Sequence, residues 1–570
     1  MNFDIEEIPF SRYGSYLAFS HPQDGTKGYE NQIALRVLYG AFADQETYPV
    51  VLCKRNGDTY ERKDDAVDVT ADEAELKVRS GHDGYEICFA DDETFLIRSN
   101  APVLLTRTKR GGCDRIIRHM DGTLEMAGEG PSLRIWCRNG EAAALSRADE
   151  KGVGCEEADV LLVPAGDALL AQISISGLSF KPGEAADYDL CVSRTRGEFQ
   201  SFYRDIRRSV GDISPRFENA VEEAAYILWH SVVHPEGYVS RPVMLMTKNW
   251  MNLVWSWDYT FNALAVVPAR PELAYDQYLA MADMQDAAGA YPDAFQARVD
   301  IRTFVKPPVQ GFMLKQMFAV CDPGRETKER IYHSAAAFTE WWFTYRTEGL
   351  KLPYYCHGND SGWDNATIFR NGFPVQSPDL AAWLVIQMEF LEETAADLGL
   401  TDEALRWRER GEALFQDMMG YFVRDGRFEA VKLPEGETVP SESLILYLPL
   451  ILGDRLPEKL RERMLHDLFR DNGLAAEWGL ASEPLNSPLF EEDGYWRGAI
   501  WPPTALIMTE ALKRCHRTDE ALHYAERFCE MCAENGFYEN YSAVDGHGLR
   551  DHGFTWTASV FLILLRDHSR

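Results

Sequence analysis

"RTRGEFQSFYRDIRRSVGDISP", Arg194–Pro215, divides the chain into two textures. Arg194 to Val210 reads as a helical connector with a basic face, and Gly211–Pro215 breaks it. Upstream, short alternating or apolar runs such as "ELKVRS", "YEICFA", "TFLIRS", "LRIWCRNG" and "AQISISG" are punctuated by Gly, Asp and Asn, as in a β-sandwich. "NGD" at Asn56, "DG" at Asp83 and Asp121, and "NG" at Asn139 read as hairpin turns. Downstream, helical periodicity takes over. Phe338, Trp341, Trp342 and Tyr345 fall at i, i+3, i+4 and i+7, and Gly411, Leu414, Phe415, Met418, Met419 and Phe422 form one stripe. "TDEAL" occurs at Thr401–Leu405 and again at Thr518–Leu522, each with Thr as an N-cap and two acids in the first turn. About twelve helical segments follow Pro215, and six helical hairpins closed in a ring give an α/α toroid. The expected fold is therefore multidomain: an all-β sandwich over 1–195, a helical linker over 196–215, and an all-α (α/α)6 toroid barrel over 216–570.

The chain of 570 residues carries a formal net charge of −32. Such a surface repels phosphate backbones and anionic membranes, so neither nucleic acid nor a membrane is an expected partner. The acidic start lacks the basic flank and apolar run of a secretory signal. The longest apolar run, Leu444–Leu452, is far too short to span a bilayer. Eleven scattered cysteines, an odd number, fit a reduced cytoplasmic chain. Cys529 and Cys532 form a CxxC, but no second pair of matching spacing and no βαβ context accompanies it. That speaks against a metal or redox role.

Four loops of the helical half mix Trp or Tyr with Asp, Glu, Asn or Arg: Asn252–Leu264, "HGNDSGWDNAT" at His357–Thr367, "DGYWRGAIWPPT" at Asp493–Thr504, and Gly536–Thr557. Aromatic faces suit the C–H faces of sugar rings, and carboxylates and amides suit their hydroxyls. A small carbohydrate is the expected partner.

"NDSGWDN", "YWRGAIWP" and "YENY…GHGLRDHGFTWT" resemble the signatures of glycoside hydrolase family 63 and of trehalases in the same clan, and "SWDYTFNAL" and "VKPPVQG" resemble its earlier barrel motifs. The resemblance spans roughly Asn249–Arg570 and implies an (α/α)6 barrel that hydrolyses α-glycosidic bonds with inversion. Inversion needs one carboxyl group to protonate the leaving oxygen and another to activate water, ~6.5–9.5 Å apart. The resemblance implies Asp364 as the acid, with Trp363 limiting its solvation and raising its pKa, and Glu539 as an ionised base. Asp360 competes locally as the acid and otherwise supports or binds the sugar; Asp545 and Asp551 compete with Glu539. Trp257, Asp258, Lys306, Gln310, Asn359, Trp496, Arg497, Trp501, Tyr541 and Trp556 are the remaining expected substrate contacts. Arg497 would fix an anionic or hydroxyl group or orient a carboxylate.

An Arg-rich "RPES"-like element of trehalases is replaced by "PYYCHGND", which disfavours trehalose and favours another small α-glucoside or α-mannoside, a disaccharide, oligosaccharide or glycosyl-glycerate, cleaved in exo fashion. A sugar isomerase or epimerase would rely on histidines, with His357, His547 and His552 at hand; a catalytically inactive sugar-binding relative would lack an acid or a base. No cofactor is implied. A structural calcium ion is compatible with such barrels, but no EF-hand-type loop or HExxH supports a metal.

Overall fold

The computed structural model describes residues 1–21, 29, 31–40, 46–57, 59–63, 67–108, 113–128, 130–148, 155–178, 180 and 183–568. They separate into two compact units: residues 1–204 with 229–234 and 247–252, and residues 205–228 and 235–246 with 253–570.

The first unit holds two eight-stranded antiparallel sheets. The five strands that alternation picks out, Leu76–Ser80, Asp83–Phe89, Thr94–Ser99, Ser132–Asn139 and Leu169–Ser176, all lie in one of them. The other includes Leu17–Ser20 and Ile33–Val37, which are buried at every position. A strand covered on both faces shows no period-two signal, so these escape a search for alternation. The sheets pack face to face through rings: Phe19 lies 6.0 Å from Phe89 and 5.1 Å from Phe95.

Two of the expected hairpin turns are corrected. Ser80 pairs with Asp83, so the turn is Gly81–His82, with Gly81 at φ +65°, and Asp83–Gly84 lies within the strand. Asn139–Gly140 joins Ser132–Asn139 to Glu141–Ala148, which belong to different sheets; it is a crossover, not a hairpin. Asn56–Gly57 and Asp121–Gly122 do sit at hairpin ends, with positive φ at both glycines. The connector helix, α1, spans Tyr188–Ser209 and begins inside the segment expected to be sandwich. Asp187 starts it by accepting the Leu190 N–H at 3.0 Å.

The remaining α-helices are α2 (Glu218–Ser231), α3 (Asp258–Val266), α4 (Pro271–Asp283), α5 (Gln310–Val320), α6 (Arg325–Tyr345), α7 (Pro378–Leu398), α8 (Thr401–Phe422), α9 (Glu458–Leu468), α10 (Pro502–Arg514), α11 (Thr518–Asn535) and α12 (Thr555–His568). A 3-10 segment, Leu444–Arg455, stands between α8 and α9. In the second unit α3, α5, α7, the 3-10 segment, α10 and α12 pack each against the next, and α12 returns to α3. This closes an inner ring of six. Helix α4 packs on α3, α6 and α8 on α7, α9 on the 3-10 segment, and α11 on α10 and α12. Chain order thus alternates inside and outside, the arrangement of an (α/α)6 barrel.

Burial follows that alternation. Every residue of α3 is buried, whereas α8 buries only the stripe Trp407, Gly411, Leu414, Phe415, Met418 and Phe422. Met419 is only half-buried, and Tyr345, at the end of its stripe, is exposed. Both TDEAL elements begin helices with two acids in the first turn, but the threonines occupy the first helical position. Leu400 and Arg517 are the caps, and neither caps through its side chain. Cys529 and Cys532 are buried in α11, where burial pushes both thiols up and keeps them protonated. Among the described residues no helix is long and apolar enough to cross a membrane.

Candidate active site

The four polar, aromatic loops share one topological position: they lead into the N-termini of inner helices. Asp258 is the first residue of α3 and Gln310 the first of α5; Asp364 precedes α7; Trp501 caps α10; Trp556 is the second residue of α12. Tryptophans knit these loops together. Trp496 stacks on Trp501 with ring centroids 3.8 Å apart and planes 3° off parallel, and Trp363 lies 4.4 Å from Trp496. Trp556 meets Trp501 and Trp257 edge-on at 5.8 and 6.2 Å. Asn365 joins two loops through both ends of its amide, accepting the Trp496 N–H at 2.9 Å and donating to the Gly494 carbonyl at 3.0 Å.

The loop carrying Asp364 is wound tightly. His357 caps the 3-10 turn Gly358–Ser361, accepting the Asn359 N–H at Nδ1, 3.1 Å away. The Asp360 carboxylate accepts N–H groups from Val305 (3.2 Å), Cys356 (2.8 Å) and His357 (3.2 Å). Gly362 then takes φ +73°, with the Trp257 indole against it.

Glu539 lies on strand Tyr538–Tyr541, buried, and accepts the Tyr495 hydroxyl proton at Oε1, 2.9 Å away. Burial pushes its carboxyl up to about 7, as does the nearby Asp551 carboxylate; the Tyr495 hydroxyl, the Asp551 N–H and the Arg550 charge oppose the rise. The Tyr495 phenol is itself driven up by burial and by the charges of Glu539, Asp364 and Asp258. Burial pushes the Asp258 carboxyl up to about 8, outweighing its place at a helix N-terminus. Lys306 is the local counter-charge. Buried, it pairs with Asp293 at 3.1 Å and donates to the Asn359 carbonyl at 2.7 Å. Asp293, Asp364 and Asp258 together hold its ammonium above the ordinary value against its burial.

A model of the mannosylglycerate hydrolase MGH1-like glycoside hydrolase domain matches residues 251–557, the span that carries all of these loops. The chain belongs to the MGH1-like glycoside hydrolase family. A mannosylglycerate hydrolase of Thermus thermophilus is 27% identical over 168 residues, which are 29% of this chain and 39% of that protein; the chain thus spans well under half of that relative. The structure of a GH63 mannosylglycerate hydrolase from a strain of the same species, in complex with Tris, superposes with a TM-score of 0.51 at 21% identity, over 60% of this chain and 98% of that one. A bacterial glucoamylase complexed with acarbose superposes with a TM-score of 0.64 at 10% identity, over 100% of this chain and 96% of that one. At these identities the superpositions speak for the fold.

In this family member the residues expected from sequence take three kinds of place. Asp258, Lys306, Asp364 and Glu539 influence one another electrostatically, and Trp257, Trp363, Trp496, Trp501 and Trp556, from the same loops, pack against one another. Asn359 and Gln310 support these loops, Asn359 through its carbonyl to Lys306 and Gln310 by donating to the Ser256 carbonyl at 3.1 Å. Three residues have protein partners of their own. Asp360 spends its oxygens on backbone N–H groups, which explains its burial without a counter-ion. Tyr541 donates its hydroxyl to the Gly536 carbonyl at 2.6 Å, at the end of α11. Arg497 pairs with Glu491 of its own loop.

Of the competing acids, Asp545 bonds His547 at the exposed hairpin tip, whereas Asp551 adjoins Glu539. His357 is stacked between Phe304 and Phe373, at 4.7 and 4.8 Å. Sequence reasoning passed over Tyr495, Asp293 and Arg550. Tyr495 and Arg550 stand inside quoted motifs, beside Trp496 and Asp551, where nothing local marks them out. Asp293 lies in no motif, and only the fold brings it to the cluster. One group of metal-capable side chains occurs among the described residues, Glu492, Asp545 and His547, all exposed.

Proposed function

We propose that the chain is an inverting, exo-acting α-glycosidase for a small α-linked mannoside or glucoside, with Asp364 as general acid and Glu539 as general base. The observation that carries this reading is the Tyr495 hydroxyl, which is bonded to Glu539 and feels the charge of Asp364, a carboxyl group far from Glu539 in sequence. Asp364 gives its proton to the glycosidic oxygen as the C1–O bond breaks. Water attacks C1 from the opposite face and passes a proton to Glu539, so the proton count balances and the anomer inverts. The packed tryptophans of these loops suit the C–H faces of a sugar ring. The family's mannosylglycerate hydrolases put glycosyl-glycerates on the substrate panel beside disaccharides and oligosaccharides.

The test separates the two roles. Proton NMR should show the β-anomer released first from an α-glycoside. Asp364→Asn should lose at least about 10³-fold on natural leaving groups but far less on a glycosyl fluoride, which needs no proton. Glu539→Gln should be inactive on both and be rescued by azide as a substitute nucleophile. First release of the α-anomer, or equal losses for Asp364→Asn on both substrates, would refute the assignment.

A further inference from the structure

Six non-glycine residues among the described ones have left-handed backbone: Glu348, Asp425, Asn472, Tyr495, His516 and Arg550. Glu348, Asp425, Asn472 and His516 lie at turns. Tyr495 (φ +63°) and Arg550 (φ +70°) are bulky residues for which this conformation is costly, and both act on Glu539. Tyr495 donates its hydroxyl to Oε1. Arg550 sits in a β-bulge. Tyr538 pairs with His552 and Asn540 with Leu549, so Arg550 and Asp551 together oppose the single residue Glu539. The bulge turns the Asp551 N–H onto the Glu539 carboxylate.

The two strained residues also brace each other. The Arg550 guanidinium lies 5.8 Å over the Tyr495 ring and binds Asp493, donating to its carbonyl at 2.9 Å and pairing with its carboxylate at 2.8 Å. Ser542, just past Glu539 on its hairpin, donates to Glu492 at 2.7 Å. The loop of Tyr495 and the hairpin of Glu539 are thereby riveted at two points.

We propose that Tyr495 and Arg550 are positioning residues for the base: their left-handed backbones hold a hydroxyl and an amide N–H on one carboxylate, with the Arg550 guanidinium bracing the Tyr495 ring, orienting the carboxylate and favouring its ionised form. The inference rests on Glu539 being the base. In a merely structural bulge, strain of this kind would relax to glycine at no cost to function.

The experiment is the pH dependence of kcat/KM for Tyr495→Phe, Arg550→Gly and Arg550→Lys, with Asp425→Gly, at a remote turn, as the control for relieved strain. Tyr495→Phe should lose about 5–10-fold in kcat at pH 7 with KM within about twofold, move the acid limb upward by about one pH unit, and recover as pH rises. Arg550→Gly should move the limb the same way, Arg550→Lys less, and Asp425→Gly not at all. If Glu539→Gln is inactive but rescued by azide, and the acid limbs of Tyr495→Phe and Arg550→Gly coincide with wild type, the positioning role is overturned while the base assignment stands. If Glu539→Gln stays active without azide, the base assignment itself has failed, and this inference with it.

Discussion

At the scale of single residues, the proposed chemistry depends on how far burial moves two carboxyl groups. Burial pushes the Glu539 carboxyl up to about 7. A base must be ionised to accept a proton, so kcat/KM should fall on the acid side with an apparent pKa near 7 and a limiting slope of one; a flat profile down to pH 5 would show that Glu539 is not the base. The sequence leads one to expect an ionised base and a tryptophan-shielded acid with a raised pKa. In the structure burial raises Glu539 and Asp258. Both are raised by neighbours from several loops, which contiguous sequence does not report. Asp360 illustrates the same limit: beside Asp364 it looks interchangeable, yet three N–H groups converge on it to shape the turn that presents Asp364.

At the scale of elements, glycines decide how closely the loops approach. A Cβ on Gly362 would lie 2.7 Å from the Trp257 ring and force an L-residue to φ +73°. Gly362→Ala should therefore destabilise the protein by about 1–3 kcal/mol and lower kcat by displacing the loop of Asp364. Gly420→Ala, in α8 with nothing within 4 Å, should be neutral or stabilising by up to about 1 kcal/mol. Thermal unfolding and steady-state kinetics of the pair check both. The outer helices were legible because one face meets water and writes a 3.6-residue stripe. The inner helices and the all-buried strands were not, since an element covered all round has no amphipathic period. The 3-10 segment shows this most plainly: "LILYLPLIL" reads as a bare apolar run, and only packing makes it the fourth member of the inner ring.

At the scale of the whole molecule, the buried carboxyl groups cost stability. Glu539 and Asp258 have folded-state values above their ordinary 4.5 and 3.8. The fold favours their neutral forms, so their stabilising contribution is complete below the ordinary values and is lost as pH rises through about 7 and about 8. Glu539→Gln should melt close to wild type at pH 5 and above it at pH 8, with a gain on the order of 2–3 kcal/mol at about 1.4 kcal/mol per pH unit. An equal difference at both pH values would contradict the buried, proton-linked carboxyl. The sequence by itself determined the β-then-α order, the family resemblance and the candidate pair Asp364 and Glu539, because these rest on local periodicity and contiguous motifs. Only the tertiary structure decided that Tyr495 bonds Glu539, that Arg550 and Asp551 bulge opposite it, that Lys306 pairs with Asp293, and that Asp360 and Tyr541 bond protein groups. Those outcomes depend on bulges, left-handed backbone and burial, which arise where loops distant in sequence are brought together by the closing ring of helices.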